Sequence, residues 1–335
     1  MVITRTPFRI SFFGGGTDYP IHYRKHGGSV LSTTIDKYCY IHVRYLPPLW
    51  EHNYRIRYTD REEAMHIHEI RHPSVRACLD DLGFHRHRLE IQHNSDLPAT
   101  AGLGASSSFT TGLIQALHAL RGSALSKEEL ARESIRTEQE VMKEHIGSQD
   151  QVAAAYGGFN RIDFSPSGEI RVSPVSAAPG TLDALESRLL LAFSGQHRIA
   201  SHIAKEQIEN SHTKEVELSR MHEMVREGEN MLSSGVGRLD DFGRLLHESW
   251  QIKRTLTSKI SNQEIDRMYE TARRAGALGG KVLGAGGGGF MLFYAPPDRV
   301  ADVKSALAPR PVIPFRFDDS GSMVIYQKES NEYLI

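Results

Sequence analysis

The densest concentration of groups able to do chemistry lies at residues 98–108, Pro-Ala-Thr-Ala-Gly-Leu-Gly-Ala-Ser-Ser-Ser. Gly102 and Gly104 let backbone N–H groups come close to an oxyanion, and Ser106, Ser107 and Ser108 supply three hydroxyls. An apolar-periodic helix follows at once, with the positive end of its dipole at the same spot. This is an anion cradle, and phosphate is its natural guest. A second glycine-rich turn, Gly14-Gly15-Gly16-Thr17-Asp18-Tyr19-Pro20, breaks the opening strand, holds one acid and follows a buried basic residue, Arg9. Glu138 sits within a predicted helix. Asp150 lies in the glycine-broken loop Ile146-Gly-Ser-Gln-Asp-Gln151 that enters a small-residue helix, a position from which a carboxylate can approach a ligand closely. The stretch Gly279 to Phe290 contains four consecutive glycines, Gly286 to Gly289, between core residues. Ordering them costs backbone entropy, so the run implies close backbone packing or a ligand that reaches the main chain.

Two familiar phosphate-binding patterns do not fit. A Walker A loop is absent, because Gly280-Lys281 is followed by Val282 and lacks the spaced upstream glycine. Gly102-x-Gly104-x-x-Ser107 is a partial dinucleotide fingerprint without its third glycine or the acid about 20 residues on. Six histidines, His66, His68, His72, His85, His87 and His93, crowd residues 62–93. No cysteine joins them and no helical His-x-x-x-His pair has an acidic third ligand, so they read as surface residues rather than a zinc site.

The elements that must position these groups follow from periodicity and punctuation. Residues 2–13, 29–35, 38–45 and 54–58 alternate like strands, and Leu89 to Gln92 leads a further strand into the cradle. Phe109, Leu113, Ile114, Leu117 and Leu120 share one helical face that ends at Gly122. Ser126-Lys-Glu-Glu129 is a capping box for a helix running to about Glu144. Pro166-Ser-Gly168 turns a hairpin, and Leu189 to Phe193 is an apolar strand. Helical patterns cover Ile199 to Met231 and Leu239 to Leu256, the latter with Phe242, Leu245, Leu246 and Trp250 on its apolar side. A capping box at Ser261-Asn-Gln-Glu264 opens the next helix, and Met291 to Tyr294 is a strand. A short helix from Asp298 and a hairpin turned at Asp318-Asp-Ser-Gly321 close the chain.

With 335 residues, two domains are expected, 1–180 carrying the cradle and 181–335 following it, with a cleft between them. Lys plus Arg number 40 against 41 Asp plus Glu, so the basic footprint of a nucleic-acid binder is missing and the partner is small. No apolar run approaches the roughly 20 residues that cross a bilayer. Met1 to Arg5 enters a strand without a signal-peptide pattern, which makes the cytoplasm the expected location. Cys39 and Cys78 read as small buried hydrophobes.

Three of these stretches, in this order, resemble motifs of the GHMP kinases, the family named for galactokinase, homoserine kinase, mevalonate kinase and phosphomevalonate kinase. Thr6 to Tyr19 is similar to the first motif, Pro98 to Ser108 to the second, Pro-x-x-x-Gly-Leu-Gly-Ser-Ser, and Gly280 to Phe290 to the third. The resemblance implies an α+β protein: a ribosomal-S5-domain-2-like N-terminal domain and a ferredoxin-like C-terminal domain. It implies ATP as phosphoryl donor with Mg²⁺. It makes Pro98, Gly102, Leu103, Gly104, Ala105, Ser106, Ser107 and Ser108 the ATP phosphate loop, and it points to Ser106 with Glu138 as the metal's protein ligands, since Ala105 replaces the motif's first serine. Asp150 is implied as the base and Arg9 as its cation, while Gly16, Thr17, Asp18, Gly286 and Gly287 are implied to line the substrate site. Gly15-Gly16 stands where galactokinases carry Glu-His, which disfavours galactose. The motif combination looks most like the family's heptose 7-phosphate kinases, so a phosphorylated sugar is the expected partner, with its anomeric hydroxyl as acceptor. Arg24, Lys25 and His26 are candidates for its distal phosphate. Another sugar such as fucose, a non-catalytic nucleotide or sugar sensor on the same fold, and a homodimer stay open.

Overall fold

The structure, a computed structural model, describes residues 1–98, 101–195, 200–329 and 332–335. The first half of the chain forms β1 (Val2–Phe13), α1 (Pro20–His26), β2 (Gly28–Tyr45), β3 (Tyr54–Arg57), β4 (Arg61–Ala64), α2 (Pro73–Asp81) and β5 (Leu89–Ser95). It continues through α3 (Ala105–Leu120), α4 (Lys127–Arg136), α5 (Gln149–Tyr156), β6 (Asn160–Phe164) and β7 (Ile170–Pro174). The second half adds α6 (Thr181–Glu186), β8 (Leu189–Phe193), α7 (Ala200–Asn210), α8 (Glu215–Ser233), α9 (Leu239–Leu256), α10 (Gln263–Arg274), β9 (Gly279–Val282) and β10 (Phe290–Tyr294). It ends with α11 (Val300–Leu307), β11 (Val312–Ile313), β12 (Phe317–Asp318) and β13 (Met323–Gln327).

A nine-stranded sheet runs β13-β1-β2-β5-β3-β4, with β6, β7 and β12 joined through β2. The two strands expected at 29–35 and 38–45 are one. Its register against β1 jumps from Ile35 opposite Phe8 to Tyr38 opposite Pro7, so Asp36 and Lys37 form a bulge, placed where Pro7 has no N–H to offer. A smaller antiparallel sheet has the order β11-β8-β10-β9. Chain order β8, helices, β9, β10, α11, β11 gives it the ferredoxin-like arrangement, so the expected α+β, two-domain architecture is present. Its core, with Trp250, Met268, Tyr269 and Phe293, lies between that sheet and α9 to α11. Phe242 of α9 packs edge-on against Phe12 and Phe13 of β1 at 5.4 and 5.0 Å, which seats the second half on the first.

The tail differs from the expected hairpin. Phe317 and Asp318 pair with Ile35 and Thr34 of β2, and residues 323–327 pair with β1, so the turn at 318–321 separates two strands with different partners. Both complete the large sheet, although a division at residue 180 puts them with the second half. The helical stretch begun in sequence at Ile199, which lies outside the described residues, is two helices broken at residues 211–213. Asn262, not Ser261, caps α10 by accepting from the N–H groups of Glu264 and Ile265 at 3.0 Å. The Ser126–Glu129 capping box is formed. His72 and His93 are not surface residues: both are partly buried, with rings against Phe109 at 4.6 and 5.0 Å. Cys39 and Cys78 are buried free thiols. No described helix is long and apolar enough to cross a membrane.

Candidate active site

Three backbones converge to make the site. The N–H of Arg9 in β1 donates to the carbonyl of Leu103 at 3.0 Å, tying the opening strand to the cradle. The glycine stretch 284–289 then lies directly on the cradle: a Cβ on Gly102, whose φ is +76°, would sit 2.6 Å from the carbonyl oxygen of Leu283, and one on Gly284 would sit 2.9 Å from Cα of Gly102. Backbone contact therefore explains these glycines. The loop before α5 closes the third side, where the N–H of Ser148 donates to the carbonyl of Asp18 at 3.0 Å. A Cβ on Gly147 would fall 1.8 Å from Oδ2 of Asp18, so only glycine fits there.

These elements enclose a cleft of about 370 Å³. Arg9 and Asp150 meet in it as a bidentate pair, with Nε to Oδ1 and Nη2 to Oδ2 both 2.8 Å, and the third guanidinium nitrogen donates to the carbonyl of Gly102 at 2.9 Å. One arginine thus fixes the carboxylate against the cradle. Asp18 is 1% exposed. Its Oδ1 accepts from Gly16 N–H at 2.9 Å and Oδ2 from Gln149 N–H at 3.3 Å. Burial, with the nearby charge of Asp150, pushes its pKa up against those two bonds.

Glu138 stands one layer behind the cleft, 1% exposed, and accepts from Ser107 Oγ at 2.8 Å and Gln151 Nε2 at 2.5 Å. Burial raises its pKa to about 7. A widened turn makes this position: Thr137–Val141 is π-helical, with Met142 N–H bonded to the carbonyl of Thr137 at 2.9 Å. The serine that touches Glu138 is therefore Ser107, while Ser106 is exposed and also lines the cleft. A hydroxyl in contact with a buried carboxylate that no cationic side chain pairs with among the described residues is a hard-oxygen donor set that suits Mg²⁺.

The other residues expected here divide cleanly. Gly102, Gly104, Ala105, Gly16 and Gly286 line the cleft. Leu103 is fully buried in the core, and Ser108 turns away to donate to the carbonyl of Pro7 at 2.9 Å. Thr17 Oγ1 is spent on the carbonyls of Gly14 and Ser29, holding the turn. Gly287 faces Ile260, bonding its carbonyl at 2.8 Å, and Pro98 is exposed outside the lining. Ala99 and Thr100 of the cradle lie outside the described residues. Arg24, Lys25 and His26 form the exposed last turn of α1, where basic side chains complement the helix dipole, and do not line the cleft.

The cleft is also lined by residues that no local pattern marks, among them the polar Ser11, Glu144, Gln207, Lys253 and Lys281. Lys253 comes nearest to carrying a signal, as a lone charge on the apolar stripe of α9 between Trp250 and Leu256. It is 5% exposed and donates to the carbonyl of Gly284 at 2.5 Å, and burial followed by the charge of Arg9 lowers its pKa to about 8. Lys281 is 1% exposed, donates to the carbonyl of Phe12 at 2.8 Å, and is held far below the ordinary lysine value by burial. Ser11 Oγ is buried and has no partner among the described residues.

The model of the GHMP kinases N terminal domain matches residues 71–158, and that of the GHMP kinases C terminal domain matches 229–312. The chain is 30% identical over 317 residues to a D-glycero-alpha-D-manno-heptose 7-phosphate kinase of Campylobacter jejuni, covering 91% of this chain and 92% of that one. It is 27% identical to a mevalonate kinase of Pyrococcus furiosus over 71% of this chain and 69% of the relative. The fold is also that of a D-glycero-D-manno-heptose 1-phosphate kinase from Bacteroides thetaiotaomicron, with a TM-score of 0.77 at 24% identity over 98% of this chain and 100% of the other.

Proposed function

The chain belongs to the GHMP kinase family, whose members are ATP-dependent kinases, and on that premise we propose that it phosphorylates the anomeric hydroxyl of a heptose 7-phosphate, giving the 1,7-bisphosphate. The observation that carries this reading is the Arg9–Asp150 pair facing the phosphate cradle across one cleft with Asp18. Asp150 accepts the proton of the attacking hydroxyl, and Arg9 fixes its orientation and offsets its charge. Asp18, rigidly held by two backbone N–H groups, takes a sugar hydroxyl. The N–H groups of the Gly102–Ala105 turn and the N-terminus of α3 hold the triphosphate. Ser106, Ser107 and Glu138 are the residues that would hold Mg²⁺, which when bound neutralises phosphate charge. Ser107 joins Ser106 in this role because it is the hydroxyl in contact with Glu138.

The heptose assignment is supported by the C. jejuni relative and by the absence of side chains at Gly15 and Gly16. The test is ADP release from the purified protein with ATP, Mg²⁺ and a panel of heptose 7-phosphate, heptose 1-phosphate, fucose, galactose and mevalonate. Turnover of heptose 7-phosphate well above the rest is expected. Preference for an unphosphorylated sugar or for the 1-phosphate would overturn the substrate assignment.

A further inference from the structure

We propose that Lys253 is a further catalytic residue, one whose ammonium contacts the phosphoryl group in transfer and neutralises the charge that builds on its oxygens. The inference rests on the kinase reading of the cleft. Lys253 comes from α9 in the second half of the chain, yet it joins the cluster at the cradle without a gap. Its Nζ bonds the carbonyl of Gly284, Gly284 packs on Gly102, the carbonyl of Gly102 takes Arg9, and Arg9 holds Asp150. That path runs between the triphosphate loop and the base, where the γ-phosphoryl must travel.

An ammonium has three N–H donors, and among the described residues this one gives a single bond, to a neutral carbonyl. The charged groups around it are Arg9 of β1, Asp18 of the first turn, Asp150 of α5 and Lys281 of β9. Arg9 and Asp150 satisfy each other, Asp18 is bonded to backbone N–H groups, and Lys281 is tied to the carbonyl of Phe12. Among the described residues Lys253 pairs with no carboxylate, and burying a lone charge is costly unless an anion arrives. Phosphoryl transfer supplies one. The acceptor oxygen forms its bond to the γ-phosphorus as the bond from that phosphorus to the β–γ bridging oxygen breaks, the electron pair leaves with ADP, and the hydroxyl proton goes to Asp150. Charge spreads over the three equatorial oxygens, and a pre-placed cation there favours the transition state over the ground state.

The experiment compares wild type, Lys253→Met and Lys253→Arg, using the acceptor that wild type turns over. Lys253→Met is expected to lower kcat about 10²-fold, the usual cost of losing one preorganised group at developing charge, while the Kd of ATP and the KM of the acceptor move less than about threefold. Met fills a similar volume without a buried charge, so its melting temperature should stay at or above that of wild type. Wild-type kcat/KM should fall as pH rises past about 8, where the ammonium is lost, and this limb should vanish in Lys253→Arg, which keeps its charge. Retention of kcat by Lys253→Met within about threefold would overturn the proposal. So would a KM increase confined to phosphorylated acceptors with kcat kept, which marks a distal-phosphate contact. Should Lys253→Met not fold, an alkaline limb persisting in Lys253→Arg is equally decisive against it. If wild type phosphorylates no sugar at all, the substrate reading fails, and Lys253 is then tested on hydrolysis of ATP to ADP, which Lys253→Met should slow by the same factor.

Discussion

The cleft has two charged walls settled in opposite ways. On the first-half wall, Arg9 and Asp150 are matched by two 2.8 Å bonds, and the arginine's remaining nitrogen is used on Gly102. On the second-half wall, Lys253 and Lys281 are both nearly fully buried, and each donates to one backbone carbonyl. A matched pair is preorganised before substrate arrives and holds geometry. An unmatched buried cation costs folding free energy until an anion reaches it, so it stores affinity for one. In the proposed reaction, positioning falls to the first half and charge compensation to the second.

The sharpest way to break the matched wall is Asp150→Asn, which keeps shape but removes the proton acceptor. Turnover should fall about 10²- to 10⁴-fold in the ADP-release assay while ATP still binds. Next in size, Glu138→Gln should raise the Mg²⁺ concentration for half-maximal rate at least about tenfold, because the amide is a poorer partner for a hard cation. A rate profile that stays unchanged across a Mg²⁺ titration would remove Glu138 from the metal shell.

The unmatched wall predicts a pH dependence of stability. In the unfolded chain Lys253 keeps its proton to the ordinary 10.5, whereas in the fold it releases it near 8. The unfolded state therefore binds more protons between these values, and stability contributed through this group rises with pH across that window, by up to about 3 kcal/mol. Below pH 8 the penalty is fully present. Urea denaturation at pH 7.5 and 9.5 should show Lys253→Met gaining more over wild type at the lower pH. Equal gains at both pH values would count against a charged Lys253. Smallest of all, the double variant Arg24→Ala with Lys25→Ala should leave stability within about 0.5 kcal/mol and acceptor KM unchanged, since both side chains are exposed away from the cleft. A raised KM there would return the distal phosphate to α1.

Local signals in the sequence were strong wherever backbone geometry demanded particular residues. The cradle's glycines, the Ser126–Glu129 box and the hairpin at 166–168 are written in short stretches, because a positive φ or an uncapped helix end selects residue types directly. Asp18 and Asp150 sit in or beside such turns, while Arg9, inside β1, is singled out by the resemblance to the family's first motif. What misled were positions whose meaning lies in a distant partner. Thr17 looks like a ligand hydroxyl until the carbonyls of Gly14 and Ser29 claim it, and Ser108 until Pro7 does. His72 and His93 look like surface residues until Phe109 arrives from α3.

The three glycine-rich turns and the acids in or beside them are legible in the residues themselves, because they depend on conformations that a few neighbouring residues impose, whereas the α+β class and the part of Arg9 follow from the resemblance to the GHMP kinases. Tertiary structure alone decided that Ser107 is the serine against Glu138, that β12 and β13 return to the first sheet, and that Lys253 stands beside the phosphate cradle. The reason is distance along the chain. Residue 253 lies about 150 positions from residue 102, and no local pattern records which carbonyl an ammonium meets when two halves of a molecule close on one another.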